Sequence, residues 1–159
     1  MDKQALTQDI LAQLNAELAL QTDAANTARD EATNEESRAE DKYDMRSQSA
    51  AYLAAGQARF AGEIADAIAA WKAVPVRVFG PGEKIAAGAL VTLEGGGRRE
   101  FYLFGPHSGG LEARAGDARA VVVTGASPLG RQLLGRRVGD QVILAGRSKP
   151  ATRTVVAVD

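Results

Sequence analysis

The chain has no cysteine. That excludes a disulfide framework and any zinc site built on thiolates. Aromatic residues supply only 5% of it, so no large aromatic core is available. Proline is absent from residues 1–73, where Gly56 and Gly62 are the only glycines. The single histidine, His107, sits between Pro106 and Ser108 in a glycine-rich stretch, and no Ser/His/Asp constellation can be assembled around it. No segment approaches the roughly 18 consecutive apolar residues of a membrane span, and residues 1–20 lack the apolar run of a signal peptide. A cytoplasmic protein without membrane association is the expectation.

What is present divides into two halves. The 159 residues suit one ordinary domain or two small ones. The net charge of -1 conceals -6 over residues 1–75 and +5 over residues 76–159. An acidic half joined to a basic half suits a partner touched by both, and equally suits two independently soluble domains.

Alanine, glutamine and acidic residues dominate residues 1–73, and their intrinsic preference is helical. Leu11, Leu14 and Leu18, continued by Ala25 and Ala28, are spaced by threes and fours. Leu53, Phe60, Ile64, Ala67 and Trp71 repeat the pattern, which predicts a helix-on-helix seam. Helix from about residue 3 to about residue 72, folded at its middle, gives two antiparallel arms of about 33 residues, each about 50 Å long. Thr33, Asn34 and Ser37 compete with helical backbone bonding, which places the turn there. Trp71 anchors the base of the seam.

Residues 76–159 are glycine-punctuated with β-branched runs. Strands are predicted at 89–93, 100–104, 120–124, 141–144 and 152–158. Gly95-Gly96-Gly97 is a hairpin signal, read as a long one. Between the third and fourth strands, Ser127 is a suitable N-cap, Pro128 fits the first helical position and Gly135 suits a left-handed stop. The expected result is a small antiparallel sheet packed by one short helix. Residues 1–75 and 76–159 are thus the two expected domains, joined through residues 74–82.

Seven carboxylates lie within residues 30–44: Asp30, Glu31, Glu35, Glu36, Glu40, Asp41 and Asp44, offset by Arg38 and Lys42. Clustered carboxylates at the tip of a rod are hard oxygen ligands of the kind Mg²⁺ accepts. The plain alternative is a solvated face with ordinary helix ion pairs such as Arg38 with Asp41 or Lys42 with its acidic neighbours.

Ser127-Pro128-Leu129-Gly130-Arg131, followed by Val138-Gly139-Asp140, resembles the signature of the Gre family, bacterial factors that reach into RNA polymerase through its secondary channel. Gly88-Ala89-Leu90-Val91-Thr92-Leu93 and Phe101-Tyr102-Leu103-Phe104-Gly105 resemble that family's first two strands, and the two-part layout resembles it over essentially the whole chain. The resemblance implies an N-terminal antiparallel coiled-coil hairpin and a C-terminal FKBP-like domain. At the tip the family reads Gly-Asp-Leu-Ser-Glu-Asn, and here the matching stretch is Ala32-Thr33-Asn34-Glu35-Glu36-Ser37. Glu36 falls on the family's glutamate. Thr33 replaces its aspartate.

The resemblance further implies a transcription elongation factor that is not itself an enzyme. In the family, tip carboxylates help hold a Mg²⁺ in the polymerase active site, and the polymerase cuts the backtracked transcript at the nascent RNA 3′ end. Glu36, Glu35 and Asp41 are the residues implied to assist, with Glu36 and Glu35 the implied metal ligands. Ser127, Pro128, Leu129 and Arg131 are the implied polymerase-docking residues. Capping, helix start, core packing and a solvated cation are their purely structural roles. The alternatives are a channel regulator that does not cleave and a coiled-coil interaction module. An intramolecular hairpin implies a monomer. The FKBP-like fold raises prolyl isomerase activity by analogy alone, with Phe79, Phe101, Tyr102 and Phe104 too few and too strand-like to build a proline pocket.

Overall fold

The structure is a computed structural model that describes residues 1–33, 45–144 and 150–159. Two long helices come first, α1 (Lys3–Thr33) and α2 (Met45–Ala73). Six strands and a short helix follow: β1 (Leu90–Gly95), β2 (Arg98–Gly105), β3 (Glu112–Ala115), β4 (Ala118–Thr124), α3 (Pro128–Leu133), β5 (Gln141–Leu144) and β6 (Ala151–Val158). An N-terminal helical pair and a C-terminal sheet with one short helix are therefore present as expected.

The chain forms two compact units, Met1–Leu11 with Ala69–Asp159, and Ala12–Ile68. The start of α1 and the end of α2 both belong to the first unit.

Within the hairpin unit, burial follows threes and fours, but one position away from the expected stripe on α2. Leu53 and Phe60 are 54% and 45% exposed, whereas Ile64, Ala67 and Ile68 are buried. Ala54, Gln57 and Ala61 carry the less exposed line toward Ile64. The small side chains are thus the less exposed ones on this stretch, and the larger Leu53 and Phe60 the more exposed. On α1, Ala28 is buried and Leu14 and Leu18 are half-buried. Thr33 is still helical, its hydroxyl donating to the Arg29 carbonyl at 2.9 Å; the turn expected at Asn34 and Ser37 lies outside the described residues.

In the other unit the sheet order is β3-β4-β2-β1-β6-β5. The expectation of a wholly antiparallel sheet is corrected at one pair: β2 and β4 run parallel, with Tyr102 opposite Val121 and Phe104 opposite Val123. The cause is β3, a strand absent from the sequence reading, which hairpins with β4 and thereby reverses the chain between β2 and β4. Its residues Glu-Ala-Arg-Ala have little strand preference, and pairing rather than propensity forms it. The β1–β2 turn is tighter than expected. Gly95 pairs with Arg98, and Gly96 and Gly97 both adopt positive φ, 61° and 73°, as a two-residue hairpin turn that follows strand twist requires.

One face of the sheet builds the core from Val91, Leu93, Phe104, Val123, Val142 and Val155, closed by Leu133 of α3 with Phe79 and Ile85 of the preceding segment. The opposite face buries Leu90, Leu103, Ala113, Ala120 and Val122. Leu6, Ile10 and Trp71, at the ends of the two helices, are fully buried in this unit. Asp9 Oδ2 accepts the Arg114 backbone N–H at 2.9 Å, fixing the start of α1 to the β3 edge.

Candidate functional site

Helix α3 is specified by its own sequence. Ser127 has extended backbone angles (φ -73°, ψ 152°). Its hydroxyl accepts the Gly130 N–H at 3.0 Å and donates to the Thr124 carbonyl at 2.9 Å. Pro128 occupies the first turn, where a missing N–H costs nothing. Gly130 is obligatory for another reason: a Cβ there would lie 1.9 Å from the Thr124 carbonyl oxygen. The helix stops at Leu134, and Gly135 follows with φ +78°, the left-handed residue anticipated.

This turn distributes its side chains in a definite way. Pro128 and Arg131 are exposed, Ser127 and Leu129 are half-buried, and Leu129 packs against the core cluster. Arg131 donates to the Ala126 carbonyl at 2.6 Å, which lays its guanidinium along the start of the helix. Ser127, Pro128 and Leu129 line an open cleft of about 530 Å³ together with Tyr102, Val121 and Leu144. Burial pushes the Tyr102 phenol pKa up, and the negative charge of Glu100 adds to the shift. Glu100 itself accepts from Arg153 Nε at 2.9 Å. Phe79 and Phe104 belong to the core instead, so of the aromatics weighed for a proline pocket only Tyr102 lines this cleft.

Gln132 was not legible as a site residue. Its amide donates to the Ile143 carbonyl at 2.9 Å and its carbonyl accepts the Ile143 N–H at 2.8 Å. It therefore pairs with the edge strand β5 as another strand would, and ties α3 to the sheet. Only its place inside the signature stretch could have drawn attention to it.

The far end of α3 opens on a second concavity of about 580 Å³, lined by Lys84, Arg131, Leu134, Arg136, Arg137 and Asp140 among others. Its backbone is firmly held. Ile85 donates to the Arg136 carbonyl at 2.7 Å and accepts from Gly135 at 3.0 Å. Asp140 Oδ2 accepts the Arg137 N–H at 3.0 Å, and the Asp140 carbonyl accepts from Val155 at 2.8 Å.

The tip residues Glu35, Glu36 and Asp41 lie outside the described residues. Thr33 is described, and its exposed side chain hydrogen-bonds back along α1. Arg59 on α2 makes an exposed pair with Glu63 at 3.6 Å. His107 is an exposed loop residue. Among the described residues, no group of three or more His, Asp or Glu side chains is placed to hold a metal ion, and no helix is long and apolar enough to cross a membrane.

Comparison with known proteins gave the following. No family model and no curated protein sequence matches the chain. Solved structures do. The crystal structure of GreA factor homolog 1 (Gfh1) of Thermus thermophilus is 23% identical, with 94% of each chain covered and a TM-score of 0.39. A structure described as that of the transcription factor Gfh1 is 25% identical, covering 96% of this chain and 95% of its own, with a TM-score of 0.41. Gfh1 of Thermus aquaticus is 24% identical, with 92% of each chain covered and a TM-score of 0.40.

Proposed function

We propose that this chain is a transcription elongation factor of Gre type, which docks on bacterial RNA polymerase through the first turn of α3 and reaches the polymerase active site through the secondary channel with its helical hairpin. The observation that carries the reading is the ordered Ser127-Pro128-Leu129-Gly130-Arg131 turn. Its cap is complete, Pro128 and Arg131 stand at the surface, and the same residues carry the sequence resemblance. Ser127 and Gly130 hold the turn, Leu129 seats it on the core, and Pro128 and Arg131 offer a flat apolar ring and a guanidinium to the partner.

The chain is not itself the enzyme in this reading. Glu36 and Glu35 would hold a Mg²⁺ shared with the polymerase, assisted by Asp41, and that ion supplies an activated water for cutting the backtracked transcript near its 3′ end. The factor acts as a monomer in the cytoplasm. Thr33 favours a second form of the same function. Where the family has an aspartate, this chain has a hydroxyl already donated to the Arg29 carbonyl, which adds no negative charge to the tip. A factor that occupies the channel without cleaving is the consequence.

Stalled, backtracked elongation complexes with Mg²⁺ test both. Binding is expected, with transcript cleavage lost in Glu36→Ala if the tip is active and absent in the wild type if it is not. A protein that neither bound the polymerase nor altered cleavage would sink the proposal.

A further inference from the structure

Apart from the exposed Arg98, the described arginines of the sheet unit fall into two groups. Arg77, Arg99, Arg114, Arg119 and Arg153 each pair with a carboxylate, on Glu83, Glu94, Glu112, Glu112 and Glu100 respectively. Lys84, Arg131, Arg136 and Arg137, which line the concavity beyond α3, have no carboxylate partner among the described residues. The one acid in that wall, Asp140, is engaged by a backbone N–H. Leu134, which lines the same concavity, is 56% exposed, and Val138, one residue beyond Arg137 in the chain, is 49% exposed. The segment that carries them is pinned by backbone bonds from both sides, to Ile85 and to Val155. Arg131 and Arg136 are oriented by bonds to the Ala126 and Gln132 carbonyls, and a held cationic wall with an exposed leucine in it is complementary to a partner of opposite charge.

We propose that this concavity is an interaction surface for an acidic polypeptide segment carrying an aliphatic anchor. Carboxylates satisfy the free donors of Arg136 and Arg137, and the anchor covers Leu134. A nucleic acid would answer the charge but not the exposed leucine, and none of the named wall residues is an aromatic ring on which a base could stack. The surface goes beyond the docking turn, lying at the opposite end of α3 and sharing only Arg131 with it.

The test is fluorescence anisotropy of the full chain with a labelled synthetic helix of glutamates bearing a leucine stripe, beside a single-stranded oligothymidine of equal charge and, separately, core bacterial RNA polymerase. The wild type should bind the peptide in a salt-sensitive manner. Arg136→Glu with Arg137→Glu should weaken it by about tenfold or more, Leu134→Ser several-fold, and Arg98→Glu, an exposed charge reversal elsewhere on the sheet unit, not at all. Arg136→Gln with Arg137→Gln gives an intermediate loss without charge reversal. Absent peptide binding, undiminished binding by the reversed variant, or stronger oligothymidine binding that ignores Leu134 would each overturn the inference. Peptide binding without polymerase binding would overturn only the docking proposal.

Discussion

The indole of Trp71 lies against Gly105, so close that a Cβ on Gly105 would sit 2.3 Å from two of its ring carbons. The last turn of α2 is thereby locked onto β2. Gly105→Ala must displace a fully buried indole, and such overpacking costs on the order of 1–3 kcal/mol. Urea unfolding followed by Trp71 fluorescence, the chain having one tryptophan, should show the midpoint fall. An unchanged midpoint would mean that the ring is not held there.

Ser127→Ala removes the acceptor of the Gly130 N–H and should cost about 1 kcal/mol. Gly130→Ala should cost more, because its Cβ would overlap the Thr124 carbonyl. If the two variants unfolded at equal denaturant concentration, the close approach at Gly130 would be contradicted.

Gln132→Ala frees both backbone groups of Ile143. The stability loss should be about 1 kcal/mol, the worth of an exposed hydrogen-bonded pair. Native-state hydrogen exchange gives the sharper readout: the Ile143 amide should lose protection while those in β1 keep theirs.

Tyr102 gives a pH signature. Burial raises its pKa in the folded chain above the usual value. Its contribution is therefore fully present below the unfolded phenol pKa of about 10 and is lost as pH rises through the folded value. Unfolding curves between neutral pH and alkaline pH should show that decline, and Tyr102→Phe should flatten it.

Thr33→Asp restores a carboxylate to the described end of α1. In backtracked complexes it should raise Mg²⁺-dependent cleavage above wild type without changing polymerase affinity. Equal cleavage by both forms would show that position 33 is indifferent.

Local chemistry explains which features could be read ahead of the structure. The Ser127 cap, the Pro128 start and the Gly135 stop each depend on residues within one turn, and each stands where the sequence places it. Non-local features were not readable. Asp9 and Arg114 are 105 positions apart, β3 exists only because β4 pairs with it, and the parallel β2–β4 register follows from that pairing. On α2 the eye follows large side chains, Leu53 and Phe60, whereas packing selected small ones beside Ile64 and Ile68. In the candidate site, the Ser127–Arg131 turn was legible from motif, but Gln132 was not, since its bonds reach across to another element.

The two outermost strands have a shared property. Asp9 occupies the Arg114 N–H on β3, and Gln132 occupies both polar groups of Ile143 on β5. A peptide seeking to extend the sheet would find these positions already taken by the protein's own side chains. At these two positions the protein's own side chains compete with strand addition. Weakening either plug, by Asp9→Ala or Gln132→Ala, would convert a guarded border into a seeding point for assembly.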